Sequence, residues 1–428
     1  MLSTSKPVGV RQKGVNMSKH VSAVKPIVVS KKSSCFKTQA MKEPFPFLKN
    51  VKYHSDLWQT VRTEQHFLKV IGGLKQKGHI NDKLHNIWTD FYFNYKNAIL
   101  SANLPTHTEE LAVIIQSTIA DNVLMQFKKP YTFPSYHSRI LKPYNYFQFG
   151  QRYVASLLDF ERSYLGAYDR WEKIQDLLLN GHNVVLLANH QTEADPGVFD
   201  HLIEPVFPDM SNRVTFVAGD RVVTDALCKP FSMGRNLFCV HSKKHMGDDP
   251  ALKAAKMDTN RRTLVALQKR LNKGGCLLWI APSGGRDRPQ PDGSCAPERF
   301  DPLAVELFRN LISRAKAPGH LFPLAMYSLP MMPPPNTVDK AVGERRITNF
   351  TPIGMSVGDE IDWKAIVAAA GKSATKDEQH EILAVTARNA VAELYVELEK
   401  AVKDQTSRPK YFVRPWDLVA PGTYSGTK

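Results

Sequence analysis

The chain has 428 residues, of which 43% are apolar and 23% are charged, values typical of a globular protein. Its formal net charge is +16, and no run reaches the roughly 18 consecutive apolar residues that a membrane-spanning helix needs. These values exclude a disordered, collagen-like or membrane-spanning chain and predict a soluble protein of two or three domains. The five cysteines form no CxxC pair, which argues against a zinc ribbon or a disulfide framework and favours a reducing compartment.

The first 42 residues hold nine basic residues and seven serines but no Asp or Glu. Without those nine, 48 bases face 41 acids in the rest of the chain, a net charge of +7. A basic, Ser-rich leader without an apolar core is typical of an organelle transit peptide. A basic arm for nucleic acid is the second interpretation, disfavoured because only Phe36 interleaves the bases. We therefore expect residues 1–42 to be a transit peptide, and the remaining charge to suit an anionic substrate or an acidic protein partner.

Residues 43–130 are predicted to form a small helical bundle domain. The apolar residues of its first helix, over 57–71, lie on one face, and Gly72-Gly73 is expected to end that helix. Two further helices follow, the second helix of the bundle carrying an apolar stripe over 84–95. The prolines between residues 130 and 143 then indicate a linker or a wrapping loop.

Residues 131–428 have the pattern of an α/β catalytic domain. One long helix is predicted from residue 147 to 181, and short continuous apolar runs alternate with helices after it. Such runs indicate strands buried on both faces, as in a parallel sheet. We expect strands at 184–188, 214–218, 237–240, 276–281 and 321–326, and helices at 253–271, 303–315 and 378–404. The predicted fold class is thus α/β, a small N-terminal helical bundle beside a mostly parallel mixed sheet flanked by helices.

Polar turns follow three of the predicted strands, at residues 189–196, 241–245 and 282–289. Ligands of open α/β sheets bind beyond the carboxyl ends of the strands, where such turns lie. We therefore expect these three turns to converge on one site.

His190 is the candidate general base in the first turn, because a neutral imidazole can accept a hydroxyl proton near pH 7. Asp195, five residues later, is the candidate partner that fixes the imidazole tautomer. On one helix these side chains would diverge by roughly 140°, so they meet only if a helix begins near Asp195. Asp195-Pro196 is a good helix start, which allows that geometry and equally allows a plain capping role.

Arg286 and Arg288 are candidate phosphate ligands, since the glycines before them let backbone amides and guanidinium groups approach one anion. Lys244 and His245 offer further donors, with a solvated surface cluster as the alternative. The ligand inferred from these residues is a small phosphorylated alcohol whose hydroxyl lies near His190.

Other catalytic motifs are absent from the sequence. It has no Gly-x-Ser-x-Gly elbow, no Walker A pattern and no Gly-x-Gly-x-x-Gly loop. A metal held by His190 and His245 stays open, although their spacing fits no common metal site.

Several segments together carry a resemblance that no single motif gives. They are residues 189–196, 216–221, 228–232, 234–236, 242–246, 279–289, 318–324 and 332–335. In these segments the chain resembles the plastid glycerol-3-phosphate acyltransferases, soluble members of the His-x4-Asp acyltransferase superfamily. Where the wider superfamily has Pro-Glu-Gly-Thr-Arg, this chain has Pro-Ser-Gly-Gly-Arg at 282–286, as the plastid branch does.

The resemblance implies transfer of a fatty acyl group from acyl carrier protein, or from acyl-CoA, to the sn-1 hydroxyl of glycerol 3-phosphate in the plastid stroma. It implies that His190 is the base and that Asp195 orients it. It also implies phosphate-binding positions and further substrate-binding candidates, namely Lys244, His245, Arg286 and Arg288, and then Arg235, Ser283 and Gly284. No metal or cofactor bound by the enzyme is expected, because the phosphopantetheine arm belongs to the carrier protein.

Two other functions stay open at this point. A lysophosphatidate acyltransferase would usually come with membrane-embedded apolar stretches, which the sequence lacks. A catalytically inert protein that binds carrier protein or lipid would have no need of a base at position 190. Nucleic acid is not an expected partner.

Overall fold

The described part of the protein is built around one eight-stranded sheet with helices on both faces. This structure is a computed structural model, and it describes residues 45–241, 250–334, 346–371 and 373–419. The predicted transit peptide, at 1–42, lies outside the described residues. Residues 43–428 form one compact unit.

The helices of the described ranges follow one another as the chain alternates between helix and strand. They are α1 (Glu64–Gln76), α2 (Asp82–Ser101), α3 (Glu109–Lys128), α4 (Tyr146–Ala155), α5 (Tyr168–Leu179), α6 (Asp195–Ile203), α7 (Pro208–Arg213), α8 (Asp220–Thr224), α9 (Lys229–Met233), α10 (Lys253–Leu271), α11 (Pro302–Ser313), α12 (Trp363–Ala369) and α13 (Lys376–Lys403). Among these described helices, none combines the length and the apolarity that crossing a bilayer requires.

The sheet is mixed and mostly parallel. Its strands are β1 (Tyr136–His137), β2 (Tyr164–Gly166), β3 (Asn183–Ala188), β4 (Val214–Ala218), β5 (Asn236–Cys239), β6 (Leu277–Ile280), β7 (Gly319–Tyr327) and β8 (Gly354–Val357). They lie in the order β1-β5-β4-β6-β3-β7-β8-β2, with antiparallel pairing only between β1 and β5 and between β7 and β8 among the described strands. The predicted α/β fold class is confirmed.

The five strands predicted from continuous apolar runs are all confirmed as β3 to β7. Along β3, Val184 and Leu186 belong to the core on one face of the sheet, and Val185 and Leu187 belong to the core on the other. Burial on both faces is the reason why these runs are continuous and not alternating. The three short strands β1, β2 and β8 were not predicted, because two to four residues give no periodic signal.

The long helix predicted over 147–181 is wrong. The chain forms α4, a 3-10 turn at Phe160–Arg162, the strand β2 and then α5. The Asp159 side chain accepts from the backbone N–H groups of Glu161 and Arg162, which stabilises the turn. Ala167 then adopts a left-handed conformation at φ 55°, and β2 pairs with β8. Pairing in the sheet overrides the helical pattern here.

Two expectations about the helical bundle also need correction. Helix α1 runs through Gly72-Gly73 and ends at Lys77, before Gly78, which has φ +70°. Only that third glycine takes the left-handed conformation that ends helices. The stretch over 130–143, predicted as a linker, contains β1, which pairs antiparallel with β5.

The helical bundle and one face of the sheet share a continuous core. Trp58 and Tyr95 from the bundle belong to the same buried cluster as Leu186 and Trp279 from the sheet. On the opposite face, α10, α11 and α13 pack on the sheet through a second cluster. The domain boundary at residue 130 stays a prediction, since packing is continuous across it. Four cysteines fall in the described ranges, and all four are buried free thiols.

Candidate active site

The candidate site lies where β3, β6 and β7 end, and Asn189 ties these ends together. Its Nδ2 donates to the Met326 carbonyl oxygen at 3.0 Å and to Asp287 Oδ2 at 2.9 Å. Its Oδ1 accepts from the Met326 N–H at 2.8 Å. One buried amide thus fixes the exit of β3 against β7 and against the turn that follows β6.

His190 and Asp195 meet at this edge. His190 lies in the loop after β3, Asp195 is the first residue of α6, and His190 Nδ1 lies 2.8 Å from Asp195 Oδ2. This is the loop-and-helix arrangement that allows residues five apart to meet. The imidazole packs edge-on against the Trp279 ring, with the centroids 5.7 Å apart, and 27% of its side chain is exposed.

Asp195 is fully buried and accepts hydrogen bonds at both carboxylate oxygens. Its Oδ2 accepts from His190 and from the Gln191 N–H at 2.8 Å. Its Oδ1 accepts from the Ser328 hydroxyl at 2.6 Å and from the Thr192 N–H and hydroxyl at 3.3 and 3.2 Å. A carboxylate only accepts, so the His190 proton sits on Nδ1 and the lone pair on Nε2. No residue in the described ranges hydrogen-bonds to Nε2, which leaves that atom available as a base.

The turn after β6 is fastened directly to the histidine loop. The Asp287 N–H donates to the His190 carbonyl oxygen at 2.6 Å. Within the turn, the Ser283 hydroxyl donates to the Gly285 carbonyl at 2.9 Å, and Gly284 has φ +65°, which only glycine adopts readily. The turn predicted to bind phosphate and the turn of the predicted base are therefore in contact.

Asp287 is a buried carboxyl group between these two turns. It accepts from Asn189 and, at Oδ1, from the Glu298 N–H at 3.0 Å. Burial raises its pKa to about 6, with nearby Asp195 adding to the rise, while these two hydrogen bonds and His190 oppose it. The rise means that burial costs the charged form more than its partners return.

Glu193, in the histidine loop, is the meeting point of two arginines. Arg286 Nη1 lies 3.9 Å from Glu193 Oε1, and Arg346 Nε lies 3.3 Å from Glu193 Oε2. Arg346 Nη2 also lies 3.6 Å from Asp225 Oδ2. The three side chains at Glu193 are 13–21% exposed, so this charged cluster sits half-buried at the same edge as His190.

The charges of this cluster support one another. Burial acts to lower the pKa of Arg346, but Glu193, Cys228 and Asp225 outweigh burial and raise it. The Cys228 thiol lies 3.3 Å from Arg346 Nη2. Burial, with Glu193, raises the pKa of that thiol, so it stays protonated and is a poor nucleophile.

The other predicted site residues are placed as follows. Arg288 is half-buried in the turn of Arg286. Arg235 precedes β5 at the opposite edge of the sheet, where its buried guanidinium pairs with Asp200 and lies over the Phe147 ring. Its contact with substrate stays a prediction, and this placement favours a packing role. Lys244 and His245 lie outside the described residues, and with His245 so does the alternative of a metal shared with His190.

Sequence reasoning missed four residues of this site. Glu193 lies inside the His-x4-Asp segment and Asp287 lies between the two predicted arginines, so position along the chain offered a signal for both. Ser328 and Arg346 offered none, because they are more than 130 residues from Asp195 and Glu193, which they contact.

Comparison with known families agrees with this division of the chain. The family model described as "Glycerol-3-phosphate acyltransferase N-terminal" matches residues 55–131, the helical bundle. The model described as "Acyltransferase" matches residues 170–327, which include His190, Asp195 and Arg286.

Similar curated proteins cover most of the chain. A chloroplastic glycerol-3-phosphate acyltransferase of Arabidopsis thaliana is 38% identical over 404 residues, 93% of this chain and 87% of that protein. Those of Cucurbita moschata and Carthamus tinctorius are 41% and 39% identical over 75% and 82% of this chain, and over 69% and 75% of their own lengths. With the His190–Asp195 pair and the arginine turn in contact at one sheet edge, these matches show that the chain belongs to the family of the chloroplastic glycerol-3-phosphate acyltransferases.

Proposed function

We propose that this protein is a glycerol-3-phosphate 1-O-acyltransferase, which esterifies the sn-1 hydroxyl of glycerol 3-phosphate with a fatty acyl group from a thioester. The names of its relatives supply the acceptor and the reaction class. The observation that carries the proposal for this chain is the contact between the loop of an oriented histidine and an arginine turn. A small molecule with a hydroxyl and a phosphate fits such a pair of groups.

In the proposed mechanism, His190 Nε2 accepts the proton of the sn-1 hydroxyl as its oxygen attacks the thioester carbonyl. Asp195 stabilises the imidazolium that forms, and its hydrogen bond to Nδ1 keeps the lone pair on Nε2. The tetrahedral intermediate then collapses, the carbon–sulfur bond breaks, and the leaving thiolate takes the proton back from Nε2. No acyl-enzyme intermediate is required, in keeping with the raised pKa of the Cys228 thiol.

On the acceptor side, Arg286 and Arg288 are proposed to hold the phosphate. A guanidinium offers paired donors that match phosphate oxygens. Glu193 would orient Arg286, and Arg346 would offset the charge of Glu193. Lys244, His245, Ser283 and Gly284 remain proposed contacts of the same substrate.

Acyl carrier protein is the proposed acyl donor, with acyl-CoA as an alternative, and the enzyme itself would need no cofactor. The chloroplastic relatives support a place in the plastid. The acid-free composition of residues 1–42 is typical of a transit peptide and supports the same location.

The test is an assay of labelled glycerol 3-phosphate with palmitoyl–acyl carrier protein and palmitoyl-CoA in parallel. We expect labelled 1-acyl-glycerol 3-phosphate, and a decrease in kcat of roughly 100- to 10,000-fold for His190→Ala. His182→Ala is the matched control, since His182 precedes β3 at the opposite edge and pairs with His320. Near-normal kcat in His190→Ala would refute the mechanism, and esterification of lysophosphatidate instead of glycerol 3-phosphate would refute the acceptor.

A further inference from the structure

Helix α10 differs in charge from the helices beside it. It carries six bases and one acid, a net charge of +5 over 19 residues. Helices α11 and α13, which pack on the same face of the sheet, carry net charges of 0 and −2. The positive charge of this face is therefore concentrated on one helix.

The exposed side of α10 alternates basic and apolar residues. Every fourth position is exposed, and each step turns the stripe by about 40°. We call these residues the α10 stripe: Lys253, Met257, Arg261, Val265 and Lys269. Met257 and Val265 are 56% and 49% exposed, and Arg261 pairs with Asp258 while 75% of its side chain stays exposed.

The N-terminal part of α10 extends past the edge of the sheet that carries the candidate active site. Near the end of β5, the Thr263 hydroxyl donates to the Cys239 carbonyl oxygen at 2.8 Å. The Asn260 side chain bonds the N–H and the carbonyl of His241. The helix runs antiparallel to β5, so the seven residues before Asn260 extend about 10 Å beyond the strand.

The stripe and His190 are close enough to share one large substrate. Three strand spacings, or about 14 Å, separate β5 from β3. A partner seated on the first turns of α10 would therefore stand beside the loop of His190, within reach of a flexible arm.

We propose that the α10 stripe is the docking surface for the protein that carries the acyl thioester, through an acidic and partly apolar surface of that partner. The inference rests on the proposed function. Charge complementarity favours an acidic partner, and the two exposed apolar residues give that partner area to bury. A helix that only kept the protein in solution would need the bases but not Met257 and Val265.

The experiment compares donors with and without a carrier protein. The variant combines Lys253→Glu, Arg261→Glu and Lys269→Glu, and the donors are palmitoyl–acyl carrier protein and uncharged palmitoyl-pantetheine. We expect the KM for the carrier-bound donor to rise roughly tenfold or more, because three attractive charges become repulsive. The KM for glycerol 3-phosphate and the rate with palmitoyl-pantetheine should stay within twofold of the wild-type values. Salt should raise the first KM in the wild type and not in the variant.

Two further variants separate charge from position. Lys69→Glu, Lys77→Glu and Lys83→Glu make the same charge change at exposed sites of the helical bundle and should leave every KM unchanged. Met257→Ser with Val265→Ser should raise only the KM for the carrier-bound donor. Far-UV circular dichroism checks that α10 still forms in each protein.

Three outcomes would overturn the docking proposal: an unchanged KM in the charge-reversal variant, an equal loss with both donors, or loss only of binding to anionic phospholipid vesicles. The last would assign the stripe to a membrane surface. Calorimetric titration with palmitoyl–acyl carrier protein, without glycerol 3-phosphate, measures docking apart from turnover. A wild-type protein that binds the carrier through the stripe but yields no product would refute the proposed function and leave the docking surface standing.

Discussion

The two halves of the candidate site are built in different ways. Four of the five hydrogen bonds to Asp195 come from residues within five positions of it, so the histidine half is mostly local. The cationic half joins Glu193, Asp225, Arg286 and Arg346, which come from four separate segments. The first half thus fixes the orientation of one base, and the second depends on how distant turns pack. The following substitutions test this difference, from the largest expected effect to the smallest.

Asp195→Asn attacks the local half directly. Asparagine replaces one acceptor oxygen by a donor, so the His190 tautomer is no longer fixed, and we expect kcat to fall roughly 1,000-fold or more. The KM for glycerol 3-phosphate should change little. Asp200→Asn, on the same helix and equally buried, is the control: it should lower the free energy of unfolding because Arg235 loses its partner, but not the kcat of folded protein. Equal effects of both variants on kcat would contradict a special role for Asp195.

Asp287, between the two halves, predicts a pH dependence of stability. Its pKa is raised by burial to about 6 in the folded state. Its contribution is therefore fully present below the unfolded value of 3.8 and is lost as pH rises through 6. Urea unfolding at pH 4 and pH 7 should show a loss of about 3 kcal/mol in the wild type relative to Asp287→Asn. Parallel pH curves for the two proteins would contradict the raised pKa.

Arg286→Ala tests the distant half. Loss of one charged donor to a phosphate should cost about 2 kcal/mol, seen as a rise of roughly 30-fold in the KM for glycerol 3-phosphate with kcat little changed. Arg309→Ala removes an arginine of similar exposure, paired with Glu306 on α11, and should leave this KM unchanged. A fall in kcat without a change in KM would mean that the phosphate binds elsewhere.

Ser328→Ala removes the one distant hydrogen bond of the local half. The Ser328 hydroxyl donates to Asp195 Oδ1 at 2.6 Å, and its loss should cost about 1 kcal/mol, or roughly a fivefold decrease in kcat. Ser211→Ala removes a bond of the same length to Asp200 and should lower stability without changing kcat. If both variants keep full kcat, the local bonds alone suffice to hold Asp195.

The sequence predicted most of the fold that depends on burial and capping. Five strands appear as continuous apolar runs, and helices α2, α3, α10 and α13 match the predicted spans closely. It failed where pairing decides the structure: β2 lies inside a stretch with a helical pattern, and its residues are strand because β8 is beside them. Likewise Gly72-Gly73 was taken as a stop, although packing of the α1 face through Ile71 and Leu74 continues the helix.

By itself, the sequence determined the apolar runs, the helix start at Asp195 and the five-residue spacing of the base and its partner. These features depend on interactions between near neighbours, which periodicity and spacing record directly. Only the tertiary structure decided the strand order, the contact of Asp287 with the His190 loop, and the approach of Arg346 and Ser328. Those contacts join segments far apart in the chain, and their geometry follows from how buried strands and helices pack rather than from any local pattern.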